Sequence, residues 1–172
     1  MSDPVIGWYV VYTKPRHEKK VAAFLSASNI VNFLPIARVL RVWKDRKKYI
    51  DAPLFPSYLF IYLEDLETYY RVLSLEAVLY YVRTGKEVVK VKEEVIHSIQ
   101  LITQQTSDIA IEVSDDYFQP GKQLMIKDGI LCGLACEVVE VKGQQKILVR
   151  VNMLQKNILV AVSSEYFESI AV

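Results

Sequence analysis

The residues that could carry out catalysis are few and widely separated in this chain. His17 and His97 lie far apart, and neither belongs to a nucleophile elbow, a phosphate-binding loop or a zinc-protease motif. The acidic pairs Glu93-Glu94 and Asp115-Asp116 lack the spacing of a general acid and base, and we interpret them as a helix N-terminus and a linker. We therefore expect no catalytic residues and no enzymatic activity.

Two cysteines, Cys132 and Cys136, are too few for the disulfide framework of a small secreted domain. No histidine is near them to complete a zinc site, and no flanking charge would favour a thiolate. We expect both to pack as small core or loop residues. The sequence thus predicts neither a metal nor a cofactor.

The basic residues are concentrated in one part of the chain, although the formal net charge is only +1. Between residues 14 and 48, only Glu18 and Asp45 oppose Lys14, Arg16, Lys19, Lys20, Arg38, Arg41, Lys44, Arg46, Lys47 and Lys48. Such a stretch could follow a phosphate backbone, because counterion release drives this binding whatever the nucleic-acid sequence. The alternative is a solvated helix face followed by a charged hairpin.

Length and composition indicate a folded chain. Its 172 residues, 52% hydrophobic and 24% charged, suffice for one compact domain or two small ones. No apolar run reaches the roughly 18 to 20 residues that span a bilayer, and the first residues lack the layout of a signal peptide. We expect a cytoplasmic protein with no membrane partner.

Strand and helix patterns alternate in the first hundred residues. Strands are expected at 8–13, 33–42, 49–53, 54–62, 77–83 and 88–91, and helices at 16–29, 66–73 and 92–104. The charged residues 44–48 connect the second and third strands as the tip of a long hairpin. This order predicts a sheet with helices packed against it.

The second half of the chain has a different pattern. Residues 105–117 are interpreted as a linker, although Ile109, Ile111 and Val113 alternate as in a short strand. Strands are then expected at 123–127, 135–141, 146–151 and 158–162, with turn signals between them. A small all-β barrel of about 55 residues is typical of this pattern. The predicted division is a domain at 1–105, a linker at 106–117 and a domain at 118–172.

Four blocks of the sequence carry a family resemblance. They are WYVVY at 8–12, PLFPSYLF at 53–60, VR at 82–83 with VIH at 95–97, and PG at 120–121 with DGILCG at 128–133. Together they resemble the NusG-type transcription elongation and antitermination factors, and more narrowly their operon-specialised paralogues such as RfaH. Ser57 stands where many members have Gly or Asn, and Cys136 where the family usually has Gly.

The resemblance implies an α+β fold, in which an N-terminal NGN-type antiparallel sheet flanked by three helices precedes a small all-β KOW (SH3-like) barrel. It also implies a monomeric, non-enzymatic factor whose N-terminal domain binds RNA polymerase across the DNA-binding cleft. Such a factor suppresses pausing or termination on selected operons. Its KOW barrel would recruit ribosomal protein S10 or a termination factor.

The resemblance also assigns polymerase contacts. The positions matching the family's contact with the clamp of the largest polymerase subunit are Tyr12, Tyr58 and Phe60. Tyr58 and Phe60 are two residues apart on a strand and so project from one face, and aromatic anchors dominate interface energetics. The alternative is that these aromatics belong to the core. A second polymerase contact falls on Thr68, Tyr69 and Tyr70.

Nucleic-acid contacts follow from the same match. Lys14 and Arg16 match the region that touches the non-template DNA strand, and Lys19 and Lys20 extend this basic region into the first helix. The hairpin tip could reach upstream DNA, or be merely solvated, through Lys44, Arg46, Lys47 and Lys48. The KOW loop would comprise Gly129, Ile130, Leu131 and Gly133.

Two other functions remain open at this point. The chain could be an RNA- or ribosome-binding KOW protein that does not act on polymerase, with the basic hairpin contacting RNA. It could also be a general housekeeping elongation factor. Only the blocks at 53–60 and 95–97 favour the specialised paralogues over the latter.

Overall fold

The computed structural model describes residues 6–42, 44–104, 110–127 and 131–161. Its first part contains the strands β1 (Gly7–Thr13), β2 (Asn32–Phe33), β3 (Ile36–Val42), β4 (Lys47–Pro53), β5 (Tyr58–Leu63), β6 (Val78–Tyr81), β7 (Arg83–Thr84), β8 (Glu87–Val88) and β9 (Lys90–Val91). The helices are α1 (Glu18–Ala27), α2 (Leu66–Leu73) and α3 (Glu93–Gln104). The second part contains β10 (Ala110–Ser114), β11 (Lys122–Met125), β12 (Ala135–Val141), β13 (Gln144–Val151) and β14 (Lys156–Ala161).

An antiparallel sheet with β1 at its centre forms the first part. The strand order is β2-β5-β1-β6, and β9 also pairs with β1. Val10 and Val11 point to opposite faces of β1, and both are fully buried. The prediction of a central strand that is apolar on both faces is therefore confirmed.

The helices α1 and α2 cover one face of this sheet. Their buried residues pack with alternate residues of β1 and β5 in a single cluster that contains Tyr9, Val11, Leu59, Ile61, Leu63, Val21, Leu25, Tyr69 and Val72. The helical spacing predicted α2 at its observed bounds. Asp65 begins that helix by accepting a hydrogen bond from the Thr68 backbone N–H at 2.7 Å, which lowers the pKa of its carboxyl group. None of the described helices combines the length and apolar character that a membrane span needs.

The predicted hairpin is also present. The strands β3 and β4 pair as a separate two-stranded sheet, with Lys44 to Arg46 in the connecting turn. The strand expected at 88–91 is instead divided, because β8 pairs with β7 while β9 pairs with β1. The third helix, expected at 92–104, is observed as α3.

A second antiparallel sheet, in the order β10-β14-β13-β12-β11, forms the C-terminal part. Its four predicted strands are found within about two residues of their expected bounds. Between β12 and β13, Lys142 and Gly143 both have positive φ, at 52° and 76°, as a tight two-residue hairpin turn requires. The prediction of β-structure after residue 118 is confirmed for the strands that the structure describes.

The interpretation of residues 106–117 as a linker is wrong for 110–114. These residues form β10, which pairs with β14 over its whole length. Two lysines hold acidic residues in and just after β10, with Lys146 Nζ 3.2 Å from Glu112 Oε2 and Lys156 Nζ 2.7 Å from Asp115 Oδ1. Two of the charges that indicated a linker are thus ion-paired with the sheet, and the alternating apolar residues were the better signal.

Arg150 fixes the chain that follows β10. Its guanidinium donates to Glu137 at 2.6 and 3.0 Å and to the carbonyl oxygens of Phe118 and Gln119 at 3.0 and 3.3 Å. The backbone N–H of Gly121 donates at 2.9 Å to Glu137 Oε2, which also accepts from Arg150. The hydrogen bonds from Arg150 chiefly hold the pKa of Glu137 below its usual range. Residues 110–121 therefore belong structurally to the C-terminal sheet.

The described residues fall into two compact units. One contains the residues up to Ile36 together with Pro53–Glu93, and the other contains Ala37–Ala52 together with the residues from Glu94 onward. The division at 1–105, 106–117 and 118–172 stays a prediction, apart from the correction at β10.

The turn before β5 joins three elements through Ser57. Its backbone N–H donates to the Glu18 carboxylate of α1 at 2.7 Å, and its carbonyl oxygen accepts from the Thr13 N–H of β1 at 2.8 Å. All three residues are buried. Ser57 has a φ of 69°, a left-handed conformation that favours Gly or Asn over other residues. The resembled family's preference at this position thus has a physical reason.

Replacing Ser57 by glycine should stabilise the protein. Ser57→Gly relieves a backbone strain of about 1 kcal/mol and keeps every backbone hydrogen bond of the turn. We expect a thermal midpoint a few degrees higher by circular dichroism. Ser57→Ala is the matched control, because alanine keeps the strain. Equal midpoints for Ser57→Gly and Ser57→Ala would contradict the strain argument.

A fragment that begins before β10 should be more stable than one that begins after it. Residues 108–172 retain β10 and its ion pairs, whereas residues 118–172 leave the edge of β14 unpaired. We expect the shorter fragment to unfold at lower temperature and to aggregate more readily, measured by circular dichroism and size-exclusion chromatography. If both fragments behave alike, β10 is dispensable to the sheet.

Candidate functional site: an aromatic sheet face and a basic groove

The sheet face opposite α1 and α2 carries many aromatic side chains, and we call it the aromatic face. Cross-strand pairing places on it Trp8, Tyr12, Tyr58, Phe60, Tyr62 and Tyr80. Trp8 and Tyr62 meet edge to face with ring centres 5.4 Å apart. This face does not contribute to the core beneath α1 and α2, so the packing of that core does not account for its aromatic side chains.

Three tyrosines on three adjacent strands form what we call the tyrosine ladder. The Tyr12 ring stacks on Tyr80 at 5.1 Å, with 10° between the ring planes, and meets Tyr58 edge to face at 5.2 Å. Tyr80 is 50% exposed, and the other two are partly exposed. The ladder therefore presents rigid aromatic surface with hydroxyl groups, a composition enriched in protein interfaces.

Phe60 does not belong to this exposed surface. Its side chain is fully buried, with the rings of Phe33 and Phe55 at 6.0 and 6.3 Å. It lies opposite Val10 at the centre of the sheet, whereas Tyr58 is at the start of β5. The two-residue spacing of Tyr58 and Phe60 predicted correctly that they share one face of the sheet, but it did not predict that Phe60 is buried there. In this structure Phe60 supports the aromatic face from within and is not presented as a surface contact.

The expected second contact contains one prominent surface residue. Tyr69 is buried, because its ring stacks on Tyr81 at 4.5 Å and its position on α2 faces the sheet. Burial raises the pKa of Tyr81, whose hydroxyl donates to the Tyr69 carbonyl oxygen at 3.3 Å. Tyr70 is 60% exposed, and Thr68 is partly exposed. The expectation of a contact through Tyr69 is therefore wrong for its side chain in this structure.

A groove of about 320 Å³ lies beside the start of α1, and we call it the basic groove. It is lined by Lys14, His17, Lys20, Val21, Phe24, Leu75, Glu76 and Ala77. Lys14 Nζ is 2.7 Å from Glu76 Oε1, and this contact lowers the pKa of Glu76. Because the ion pair is on the surface, a competing phosphate could replace it at little cost. Cations around an exposed ring suit a stacked nucleotide.

The structure brings only some of the predicted basic residues together. Lys14 and Lys20 line the groove, while Arg16 and Lys19 are exposed outside its lining. Lys44, Arg46, Lys47 and Lys48 are all exposed on the hairpin of β3 and β4. They belong to the other compact unit.

The predicted KOW loop is described only in part. Gly129 and Ile130 lie outside the described residues. Leu131 is fully buried, so its side chain is a core residue rather than a surface contact, and Gly133 adopts a positive φ of 87°. Cys136 is buried, which raises its pKa to about 11 and keeps the thiol protonated, as the packing prediction required. Within the described ranges, no three His, Cys, Asp or Glu side chains converge as metal ligands would.

The sequence reasoning missed two candidate contact residues. Phe24 follows the helical spacing of the apolar residues of α1 and received no role, but it is 54% exposed and lines the basic groove. Tyr80 was placed on a strand without a role. Its partnership with Tyr12 depends on the register between β1 and β6, which the sequence does not specify.

Comparison with known proteins identifies the family of this sequence. Residues 7–100 match the family described as transcription termination factor NusG. The transcription termination/antitermination proteins NusG of Chlamydia trachomatis and Chlamydia pneumoniae are each 28% identical over 158 residues, covering 84% of this chain and 85% of theirs. The solved structure described as "Domain interaction in Thermotoga maritima NusG" is 21% identical and covers 91% of this chain and 93% of its own, with a TM-score of 0.48. Since the family match covers more than half of the chain, the protein belongs to the NusG family of transcription termination and antitermination factors.

Proposed function

We propose that the protein is an operon-specialised antitermination and elongation factor that binds RNA polymerase through its aromatic face. The observation that carries this proposal is the tyrosine ladder, which is partly exposed although it belongs to the central sheet. NusG-family proteins are non-enzymatic transcription factors that bind polymerase, and the proposal concerns which surface of this chain does so.

The clamp of the largest polymerase subunit is the proposed partner of the ladder. Tyr12 and Tyr58 match the family's contact positions, and Tyr80 continues their surface across the sheet. Stacked rings lose little conformational freedom on binding, so much of their contact area contributes to affinity. Phe60 acts as a buried support, which revises its expected part in the contact. Tyr70, on α2, is the proposed residue of the second polymerase contact.

The basic groove is the proposed site for the non-template DNA strand. Lys14 and Lys20 would hold phosphates while Phe24 offers its exposed ring to a base. Arg16 and Lys19 would extend the positive surface along the strand. Basic residues at the tip of the hairpin would approach upstream DNA.

The C-terminal sheet is proposed to be a KOW module with an SH3-like barrel. Its five short antiparallel strands and its turns support this assignment. It would recruit ribosomal protein S10 or a termination factor in the cytoplasm. The specialised role, in preference to that of a general elongation factor, rests on the resemblance of residues 53–60 and 95–97 to the paralogues.

The alternative is an RNA- or ribosome-binding protein that does not act on polymerase. The exposed basic hairpin is the observation that favours it. The two functions make opposite predictions for the tyrosine ladder, since only polymerase docking requires it.

The ladder should be required for polymerase binding. We expect the double variant Tyr12→Ala, Tyr58→Ala to lose co-purification with RNA polymerase, because truncating interface anchors costs about 2 kcal/mol or more each. Leu79→Ala is the control: Leu79 is a 46% exposed aliphatic residue of β6, at the irregularity in the pairing of β6 with β1, and it is not one of the ladder tyrosines. Phe60→Ala is unsuitable, because deleting a buried phenyl ring costs about 3 to 5 kcal/mol of stability.

Loss of binding in the Leu79→Ala control, or binding retained by the folded double variant, would overturn the docking proposal. A wild-type protein that binds RNA but not polymerase would favour the alternative.

The groove should bind single-stranded DNA through charge and stacking. We expect Lys20→Gln to weaken binding of a labelled single-stranded oligonucleotide and to reduce the slope of log affinity against log salt by about 0.7. Lys86→Gln changes an exposed lysine in the turn between β7 and β8, outside the groove, and should leave both unchanged. Fluorescence anisotropy at several salt concentrations makes the measurement. Identical salt slopes for Lys20→Gln and wild type would exclude a phosphate contact at this position.

A further inference from the structure

One face of the β3–β4 hairpin presents an aromatic ring and a guanidinium group together. The guanidinium carbon of Arg38 lies 5.1 Å from the ring centre of Tyr49, within the range of a cation–π interaction. Both side chains are exposed, and 56% of Tyr49 remains accessible. The pair therefore stabilises the hairpin while leaving much of its surface open.

The surroundings of this pair are strongly basic. Residues 37–52 contain Asp45 and Asp51 as their acidic residues, against Arg38, Arg41, Lys44, Arg46, Lys47 and Lys48. Alternation along β4 places Lys47 on the same face as Tyr49, and Lys47 and Lys48 are both exposed. An anionic ligand is favoured by this balance of charge.

An aromatic ring among cations has a specific use in nucleic-acid binding. Bases stack on aromatic side chains and on guanidinium planes, while lysines follow the phosphates. Stacking requires an unpaired base, because both faces of a base inside a duplex are already covered by its neighbours. Binding through phosphates alone would need only the lysines. The exposed ring of Tyr49 therefore favours stacking on an unpaired base over binding through phosphates alone.

We propose that this hairpin face is a stacking site for an unpaired nucleotide, with its base against Tyr49 and Arg38 and its phosphates near Lys47. The ligand is single-stranded nucleic acid, and either DNA or RNA offers this chemistry. The inference deepens the proposed hairpin contact with nucleic acid. It rests on that part of the proposed function and not on polymerase docking.

The test uses the full chain and three labelled probes of one mixed sequence: single-stranded DNA, single-stranded RNA and duplex DNA. Tyr49→Ile keeps strand propensity and removes the ring, and we expect it to weaken single-strand binding about tenfold or more. Tyr49→Phe retains the ring and should bind like wild type. Whichever single strand binds more tightly to wild type identifies the source of the ligand.

The salt dependence separates stacking from charge. Tyr49→Ile should leave the slope of log affinity against log salt unchanged, whereas Lys47→Gln should reduce it by about 0.7. Arg38→Lys keeps the charge and loses the planar group, so it should weaken single-strand binding without changing the slope. Circular dichroism checks that each variant folds, and the wild type and all four variants are measured with the same probes.

The proposal is overturned if Tyr49→Ile binds single strands as wild type does, or if duplex binding falls as much as single-strand binding. It is also overturned if Tyr49→Phe loses as much affinity as Tyr49→Ile. Polymerase co-purification by Tyr49→Ile should be unchanged. Because the oligonucleotide assay contains no polymerase, failure of the docking proposal and failure of this one give different results.

Discussion

The junction of Glu18, Ser57 and Thr13 is the contact on which the arrangement of the aromatic face depends. A buried carboxylate of α1 and the end of β1 both bind the backbone of one residue, which fixes where β5 begins. Tyr58 follows that residue directly, and its ring meets Tyr12 on the neighbouring strand. The cost is a strained left-handed serine, and the benefit is a fixed register between the two strands that carry the candidate contacts.

Local sequence patterns predicted most of the helices and strands. They failed to predict the burial of some side chains, and they missed a strand whose ion-pair partners are distant in the sequence. The spacing of apolar residues predicted α2 at its observed bounds. Asp65 caps the start of this helix. Phe24 has the same helical spacing as buried residues, yet it lies at the margin of the covered stripe and is exposed. The segment that contains β10 looked like a linker because Glu112 and Asp115 have their lysine partners more than thirty residues away along the chain.

The sequence predicted part of the candidate site. Tyr12 and Tyr58 were found from the resemblance, and the structure places their rings in contact. Phe60 was given the right face, but its depth follows from neighbours on other strands and loops. Tyr80 could not be found, since the irregular register between β1 and β6 decides that it stacks on Tyr12. Pairing between strands therefore carries the information that the sequence pattern lacks.

The attachment of β10 to the C-terminal sheet brings the start of that sheet close to α3 along the chain. Only five residues separate Gln104, at the end of α3, from Ala110, where β10 begins. Fully extended, such a segment spans roughly 20 Å. Gln104 and Ala110 therefore lie no farther apart than that, within the compact unit to which α3 and the C-terminal sheet both belong. The end of α3 and the edge strand β10 are consequently held near each other by the covalent chain, and an insertion in these five residues would lengthen that connection without changing a residue of either element.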